Sequence, residues 1–238
     1  MQYWPALDIV NQVSGETGQS KVSSLFDATS NEDVQSNQML AALQAAGNEL
    51  LLFYPFAQFI RTLSLPLVIG QGGYALPADW AYFVDQTQWD ASGPLMGPKS
   101  AAEWAWLKSG TLGPSGTRYR VMADKLEFLP VPASVSNVSM EYISCNWVQS
   151  ANASTPDASM VRADGDIVWY HPWLMVKYTK LKWLQLKGFD QSAAAADFQR
   201  IYEALKGKDV GAEVLSLVRT SSPQWIGWGN IPDGSWSV

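Results

Sequence analysis

Apolar residues recur at helical spacing near both ends of the chain, and the first such pattern predicts two helices. Residues 6–13 have the periodicity of a short amphipathic helix. A longer helix is predicted after residues 30–33, Ser-Asn-Glu-Asp, because these side chains can cap a helix N-terminus. Pro55 should kink or end this helix, and Gly47 should weaken it slightly. Its apolar side is predicted to consist of Val34, Leu40, Leu43, Leu50 and Leu51.

A second helical pattern lies towards the C-terminus. The first helix there is expected to begin at Pro172 and to end at Gly188. Glycine readily adopts the left-handed backbone conformation of the residue that follows a helix. Asp190 is a suitable N-cap for the next helix, which Gly207 should end, and residues 210–218 have the pattern of one more short helix. The predicted core stripes are Leu174, Tyr178, Leu181 and Gln185 in the first helix, and Phe198, Ile201, Tyr202 and Leu205 in the second.

Between these helical parts, apolar and polar residues alternate with the period of two that is typical of β-strands. Pro66 should confine its strand to a sheet edge. Arg120 and Glu127 are expected to lie near each other on one face of a hairpin that turns at residues 123–125. Residues 92–116 are predicted to be a long irregular connection that contains one or two helical turns. The predicted strands cover residues 63–69, 74–76, 81–84, 119–121, 126–128 and 138–147, and form a small antiparallel sheet or a sandwich.

These patterns predict an α+β fold: a helical domain from both chain ends, an inserted antiparallel β domain and an extended C-terminal tail. The polar residues 149–166 are interpreted as a loop or linker. The predicted parts are an N-terminal helical part at 1–61, a β-rich insertion at 62–150, a C-terminal helical part at 151–219 that packs on the N-terminal helices, and a Trp-rich docking tail at 220–238.

Composition points to a protein that is covered by partners. Of the 238 residues, 47% are hydrophobic and only 16% are charged, and twelve are tryptophan. Ordinary globular domains carry roughly 25% charged residues. Such a chain has either a large core or an extensive interface, and the second option predicts an obligate assembly. The net charge of −6 argues against a basic nucleic-acid surface, but it suits a wall that DNA slides past.

Targeting and redox signals are few. Cys145 is the single cysteine, so no intrachain disulfide is possible, and synthesis in a reducing cytoplasm is expected. No basic region followed by an apolar run opens the sequence, so no signal peptide is expected. No apolar stretch approaches the ~20 residues of a membrane span, so no membrane contact is predicted.

Candidate chemistry is weak. His171 is the single histidine, next to a predicted helix start, and a structural role is favoured over a metal or a nucleophilic site. Lysines crowd the predicted helix after Pro172, where they could meet phosphate or an acidic partner or form a solvated face.

An enzymatic alternative is a glycosidase, because carboxylates among aromatic residues build such sites. The residues concerned are Asp79, Asp85, Asp90 and Glu103 beside Trp80, Trp89, Trp104 and Trp106. Solvated loop acids beside packing tryptophans, or a non-catalytic glycan-binding module, are the alternatives.

Several segments, taken in order, resemble the head-to-tail adaptor proteins of short-tailed bacteriophages, which include the tail tubular protein A type. The opening residues 8–15, Asp-Ile-Val-Asn-Gln-Val-Ser-Gly, are followed by Val-Ser-Ser-Leu at 22–25 and then by a long helix. The later segments that carry the resemblance are Tyr-Ala-Leu-Pro-Ala-Asp at 74–79, Leu-Glu-Phe-Leu-Pro at 126–130 with Pro132, and Met-Glu-Tyr-Ile at 140–143.

The resemblance implies a structural virion protein without cofactor, metal or enzymatic activity. It implies a ring, expected to be twelvefold, that joins the portal protein to the tail nozzle, offers a platform for tail fibres, and lets DNA pass without sequence-specific binding. It also implies that the C-terminal tail climbs onto the portal or a neighbouring subunit. The predicted anchors are Trp225, Ile226, Trp228, Ile231 and Trp236. The alternative function is a phage tail component with a glycan-binding β domain.

Overall fold

The computed structural model describes residues 3–26, 33–91, 93–110, 116–152 and 154–209. The helices are α1 (Ala6–Glu16), α2 (Asp33–Phe53), α3 (Ala101–Lys108), α4 (Pro172–Lys187) and α5 (Ser192–Asp209). The strands are β1 (Trp4–Pro5), β2 (Ile60–Leu67), β3 (Gly73–Ala75), β4 (Trp80–Phe83), β5 (Trp89–Asp90), β6 (Gly93–Pro94), β7 (Arg118–Met122), β8 (Lys125–Leu129), β9 (Ser136–Ser144), β10 (Val148–Gln149) and β11 (Ile167–Val168). The predicted mixed α+β class is confirmed.

Helix α4 lies at the centre of the larger apolar core and contacts α1, α2 and α5. Because three helices surround it, α4 is buried on more than the single predicted stripe: Met175, Val176 and Trp183 are buried in addition to the stripe residues Leu174, Tyr178 and Leu181. Gln185, the last predicted stripe position, is exposed. The helix begins at Pro172 and is capped by Gly188 with a φ of 70°, as predicted.

A glycine in the middle of α2 makes room for a tryptophan from the end of the β region. Trp147 is completely buried, and its Nε1 donates a hydrogen bond to Asn48 Oδ1 at 2.9 Å. A Cβ added to Gly47 would lie 2.4 Å from Cζ2 of this indole. The hydroxyl of Tyr170 also donates to the Gly47 carbonyl at 3.1 Å. Helix α2 continues through Gly47, and the tertiary contact with Trp147 requires a residue without a side chain there.

A buried aspartate, Asp166, organises the loop between β10 and β11. Asp166 is buried, and its carboxylate accepts hydrogen bonds from the backbone N–H groups of Ala151, Arg162 and Ala163 at 2.7–3.0 Å. Its backbone carbonyl accepts from Ala6 N at 2.8 Å, at the first residue of α1. A buried carboxylate with several N–H donors is well satisfied. The segment is therefore a loop tied to the N-terminal helix and not a free linker.

The β region forms two sheets that pack against each other. In the larger sheet the strand order is β2-β9-β5-β6, with β4 also paired to β9, and the smaller sheet has the order β3-β8-β7. Strand β2 lies at an edge, as Pro66 predicted. Leu67, Val138 and Met140 of one sheet share a core with Leu126 and Phe128 of the other. The arrangement is a small antiparallel sandwich, one of the two predicted forms.

The β7–β8 hairpin forms as the alternation predicted. Its turn residues Ala123 and Asp124 have φ values of 50° and 57°, the left-handed conformation that a two-residue hairpin turn requires. Arg120 and Glu127 face each other in register, and Arg120 Nη2 lies 2.7 Å from Glu127 Oε2. The predicted proximity of these two residues is confirmed. The Arg120 guanidinium also lies 4.8 Å from the centre of the Trp104 ring on α3.

Some local predictions are wrong. Val34 is 67% exposed, because burial along α2 begins only at Ser36 and Met39. Gly207 does not end α5, which continues to Asp209, where the carboxylate accepts a hydrogen bond from Ala57 N. Two-residue strands, namely β1, β5, β6, β10 and β11, are too short for a periodic pattern and were not predicted. The predicted cap residues 30–32 and the predicted helix at 210–218 lie outside the described residues.

The lysines of α4 bind carboxylates of the N-terminal helices. Lys177 and Lys180 contact the two oxygens of Glu16 at 2.8 and 3.1 Å, and Lys182 pairs with Glu49. Burial alone would raise the pKa of Glu16, but the hydrogen bonds and charges of the two lysines outweigh burial and lower this pKa. These lysines thus have acidic partners within the chain, so the solvated-face interpretation does not hold for them.

We expect Gly47→Ala to destabilise the protein, although the same change in an open helix position usually adds up to ~1 kcal/mol of stability. The added methyl group would clash with the Trp147 ring, and overpacking of a core costs ~1–3 kcal/mol. Urea unfolding measures the difference. Gly207→Ala on α5 is the matched control, because a Cβ there meets no atom within 4 Å. Equal stabilisation by both changes would contradict the contact.

Stability should fall as the pH is lowered into the acid range. A carboxylate whose pKa is lowered by folding stabilises the protein above its unfolded pKa, ~4.3, and this contribution is lost as pH falls through the folded pKa. Glu16 is in this position. Glu16→Gln should therefore lower stability by on the order of 1 kcal/mol at pH 7 and flatten the stability profile at pH values below about 5. Urea titrations at several pH values measure this, and parallel profiles for both proteins would refute it.

Candidate partner-binding surfaces

The predicted anchors Trp225, Ile226, Trp228, Ile231 and Trp236 lie outside the described residues. The structure describes the preceding helix α5 as far as Asp209. Asp209 Oδ2 accepts a hydrogen bond from Ala57 N at 3.0 Å, and Lys206 Nζ lies 5.9 Å from the centre of the Tyr54 ring. The chain that follows α5 therefore starts beside the segment that leads out of α2.

An open groove lies between the end of α2 and the two β-sheets, with a volume of about 810 Å³. We call it the junction groove. It is lined by Leu52 of α2, Pro55 just after α2, Trp80 and Phe83 of β4, and Tyr119 of β7. The Phe83 ring lies 5.5 Å from that of Trp80 and 6.3 Å from that of Tyr119, measured between centroids. Leu52 is 77% exposed at the rim. The groove presents mainly apolar and aromatic surface to an occupant.

The tyrosines at this groove remain neutral hydrogen-bond donors. Burial, with a smaller contribution from the charge of Asp85, raises the pKa of Tyr119 to about 12. Burial also raises the pKa of Tyr82, whose hydroxyl donates to the Leu51 carbonyl at 2.8 Å. That bond ties β4 to the last turn of α2. The helical part and the sandwich are therefore directly bonded at the groove.

A second apolar surface lies where β2 and β9 end. Leu67 pairs with Ser136, and Gly70 N donates to the Pro132 carbonyl at 3.0 Å, so the loops that follow β2 and precede β9 are adjacent. Their exposed apolar side chains are Val68, Ile69, Val131 and Val135, which are 44–75% exposed and which we call the apolar tip. Residues 62–78 and 128–140 contain no charged side chain. An uncharged, exposed apolar patch is typical of a protein interface.

Three of the four carboxylates proposed for a glycosidase, namely Asp79, Asp90 and Glu103, have structural roles. Asp79 accepts hydrogen bonds from the Tyr142 and Ser144 hydroxyls at 3.0 and 2.7 Å, and Asp90 accepts from Gly93 N and the Thr117 hydroxyl. Glu103 completes the capping box of α3, and the Ser100 backbone N–H leads the contacts that lower its pKa. A catalytic acid needs a raised pKa. The geometry therefore favours the interpretation as structural acids.

His171 precedes α4 and lines a small cavity of about 130 Å³ with Tyr170 and Lys208. Burial, together with the positive charge of Lys208, lowers the pKa of His171, so its imidazole is neutral near pH 7. Within the part of the chain that the structure describes, no group of three or more His, Cys, Asp and Glu side chains could hold a metal ion. In the same described ranges, no helix is long and apolar enough to cross a membrane.

Sequence reasoning predicted neither apolar surface. The sequence did contain a signal for the apolar tip, because two long uncharged stretches contain its residues. The sequence contained no local signal for the junction groove, because its residues come from α2, β4 and β7, which are far apart in the chain. The exposed Trp89 and Trp106, at 41% and 54%, were singled out from sequence only as members of the acid-rich region.

Comparison with known proteins assigns a family to this architecture. No curated protein matches the sequence. The family described as SU10 adaptor protein matches residues 5–222, which include all the described helices and strands except the first residue of β1. The chain therefore belongs to the SU10 adaptor protein family, and is a structural adaptor of the bacteriophage virion.

Proposed function

We propose that the protein forms a ring at the head–tail junction of a phage particle, between the portal protein and the tail nozzle, and lines the channel through which DNA passes. The observation that carries this proposal is the family match over residues 5–222. The ring is expected to be twelvefold, as in the short-tailed-phage adaptors that the sequence resembles, and to assemble in the host cytoplasm.

The surface chemistry supports a role in assembly. A closed ring uses two different surfaces on each subunit, so a chain in such a ring buries much of its exterior. Only 16% of the residues are charged, and the groove and the tip offer apolar surface for such contacts. The net charge of −6 disfavours tight binding to phosphate groups, which suits a channel that DNA must traverse.

The C-terminal tail is the proposed portal contact. Residues 220–238 carry Trp225, Ile226, Trp228, Ile231 and Trp236 as anchors. A tryptophan at the centre of an interface contributes ~2–4 kcal/mol, and repetition around a ring multiplies that contribution. The apolar tip, by the same proposal, contacts the tail nozzle, because it is the uncharged end of the sandwich.

Co-sedimentation with portal rings from the same virus tests the portal contact. We expect the full chain to co-sediment at one copy per portal subunit, and a chain without residues 222–238 to remain in the supernatant. The double variant Trp225→Ala/Trp228→Ala should bind at least tenfold more weakly. Trp106→Ala is the matched control, because Trp106 is an exposed tryptophan of α3 and is not one of the tail anchors. Unchanged binding of the truncated chain would exclude the tail as the anchor.

The glycan-binding alternative would be favoured by a different result. In that case the full chain would not bind the portal, and oligosaccharides would quench its tryptophan fluorescence.

Ile69→Lys and Val135→Lys should abolish recruitment of the tail nozzle and leave portal binding intact. Both side chains are exposed, at 61% and 75%, so the changes should affect stability little while placing an unpaired charge in the proposed interface. Electron microscopy of reconstituted portal–adaptor–nozzle assemblies would count the complexes that carry a nozzle. Val34→Lys, an exposed valine on α2, is the control. Normal nozzle recruitment by both tip variants would place the contact elsewhere.

A further inference from the structure

The junction groove is a built site that none of the described residues fills. Its floor is a row of aromatic rings, Trp80, Phe83 and Tyr119, and its volume of about 810 Å³ lies in the ~300–1,000 Å³ range of sites that hold drug-sized ligands. Leu52, 77% exposed, offers a large apolar side chain at its rim. Exposed apolar surface of this kind in a free chain promotes association unless something covers it.

The course of the described chain brings one peptide within reach of the groove. Helix α5 is described as far as Asp209, whose carboxylate accepts a hydrogen bond from Ala57 N, and Ala57 lies two residues beyond Pro55 of the groove rim. Residues 210–238 continue from that point. Ten extended residues span up to ~35 Å, so residues 220 onward can reach the groove from their own α5. The tether gives the tail an effective local concentration in the millimolar range.

The chemistry of that segment fits the groove. Residues 220–232 carry no charge and hold Trp225, Ile226, Trp228 and Ile231 among glycines and prolines. Aromatic side chains pack favourably on aromatic walls in offset or edge-to-face contacts. Glycine and proline disfavour a regular helix, so such a segment can lie extended along the groove.

We propose that, in the free chain, the junction groove binds the protein's own C-terminal segment, residues 220–232. The segment is thereby covered before assembly, and the apolar groove is filled. A chain in this state does not associate through its tail until a partner competes for the same anchors. The proposal concerns the unassembled chain only, so it stands or falls independently of the portal contact.

A peptide of residues 220–235, with a fluorophore at its N-terminus, tests the proposal by fluorescence anisotropy with full-length proteins and no portal present. The wild-type chain should not bind micromolar peptide, because its own tail occupies the groove. A full-length variant in which Trp225, Ile226, Trp228 and Ile231 are changed to Ser should bind the peptide. Adding Leu52→Glu to that variant should weaken binding at least tenfold.

The matched control is Val34→Glu in the same anchor-free variant. Val34 is 67% exposed on α2, far from Leu52 along the helix, and the change is of the same kind, so peptide binding should not change. Thermal unfolding of every variant verifies that the fold is retained. Light scattering records the mass of the wild-type and anchor-free chains.

Three results would overturn the proposal. Equal peptide binding by the wild-type and anchor-free chains would mean that the groove is empty in the free protein. No binding by either chain would mean that the groove does not recognise this segment. A wild-type oligomer that the anchor-free variant does not form would place the tail on a second copy instead of on its own chain.

Discussion

The contact between the Trp147 indole and the Gly47 backbone joins the two halves of the molecule. Trp147 follows β9. Val138 and Met140, nearer the start of this strand, lie in the sandwich core, while Ile143, near its end, lies in the helical core. One strand thus serves both cores, and its end is fixed to the middle of α2 by close packing and by the hydrogen bond to Asn48. Because interiors pack densely, this contact restricts how the sandwich can sit on the helices. The junction groove exists as a consequence of that placement.

Buried and half-buried carboxylates connect the chain ends. Asp166 holds its own loop and the start of α1, while Glu16 and Glu49 bind lysines of α4. Charged groups are rare in this chain, and several of those present are used inside the molecule. The exterior is left with long uncharged stretches, notably at the apolar tip. A protein with such an exterior is suited to an assembly in which partners cover it.

Membership of a phage adaptor family and the physical character of the surface agree with each other. An adaptor must bind firmly to its partners once assembly starts and must not polymerise before it. Apolar anchors serve the first need, because their burial stabilises an interface strongly. An intramolecular site for the same anchors would serve the second, because a tethered segment competes well with a partner at low concentration. The position of α5 beside the groove makes such a site physically accessible.

Local chemistry was sufficient to predict much of the secondary structure. Pro172 and Gly188 bound α4, and the β7–β8 hairpin pairs Arg120 with Glu127, because caps, turns and the period of two act between near neighbours in sequence. The tail anchors were also identified from sequence and remain a prediction. The need for Gly47, the exposure of Val34, the continuation of α5 past Gly207 and the junction groove depended on residues far apart in the chain. No local pattern encodes these features, because each arises only when α2, the sandwich and the C-terminal helices are packed together.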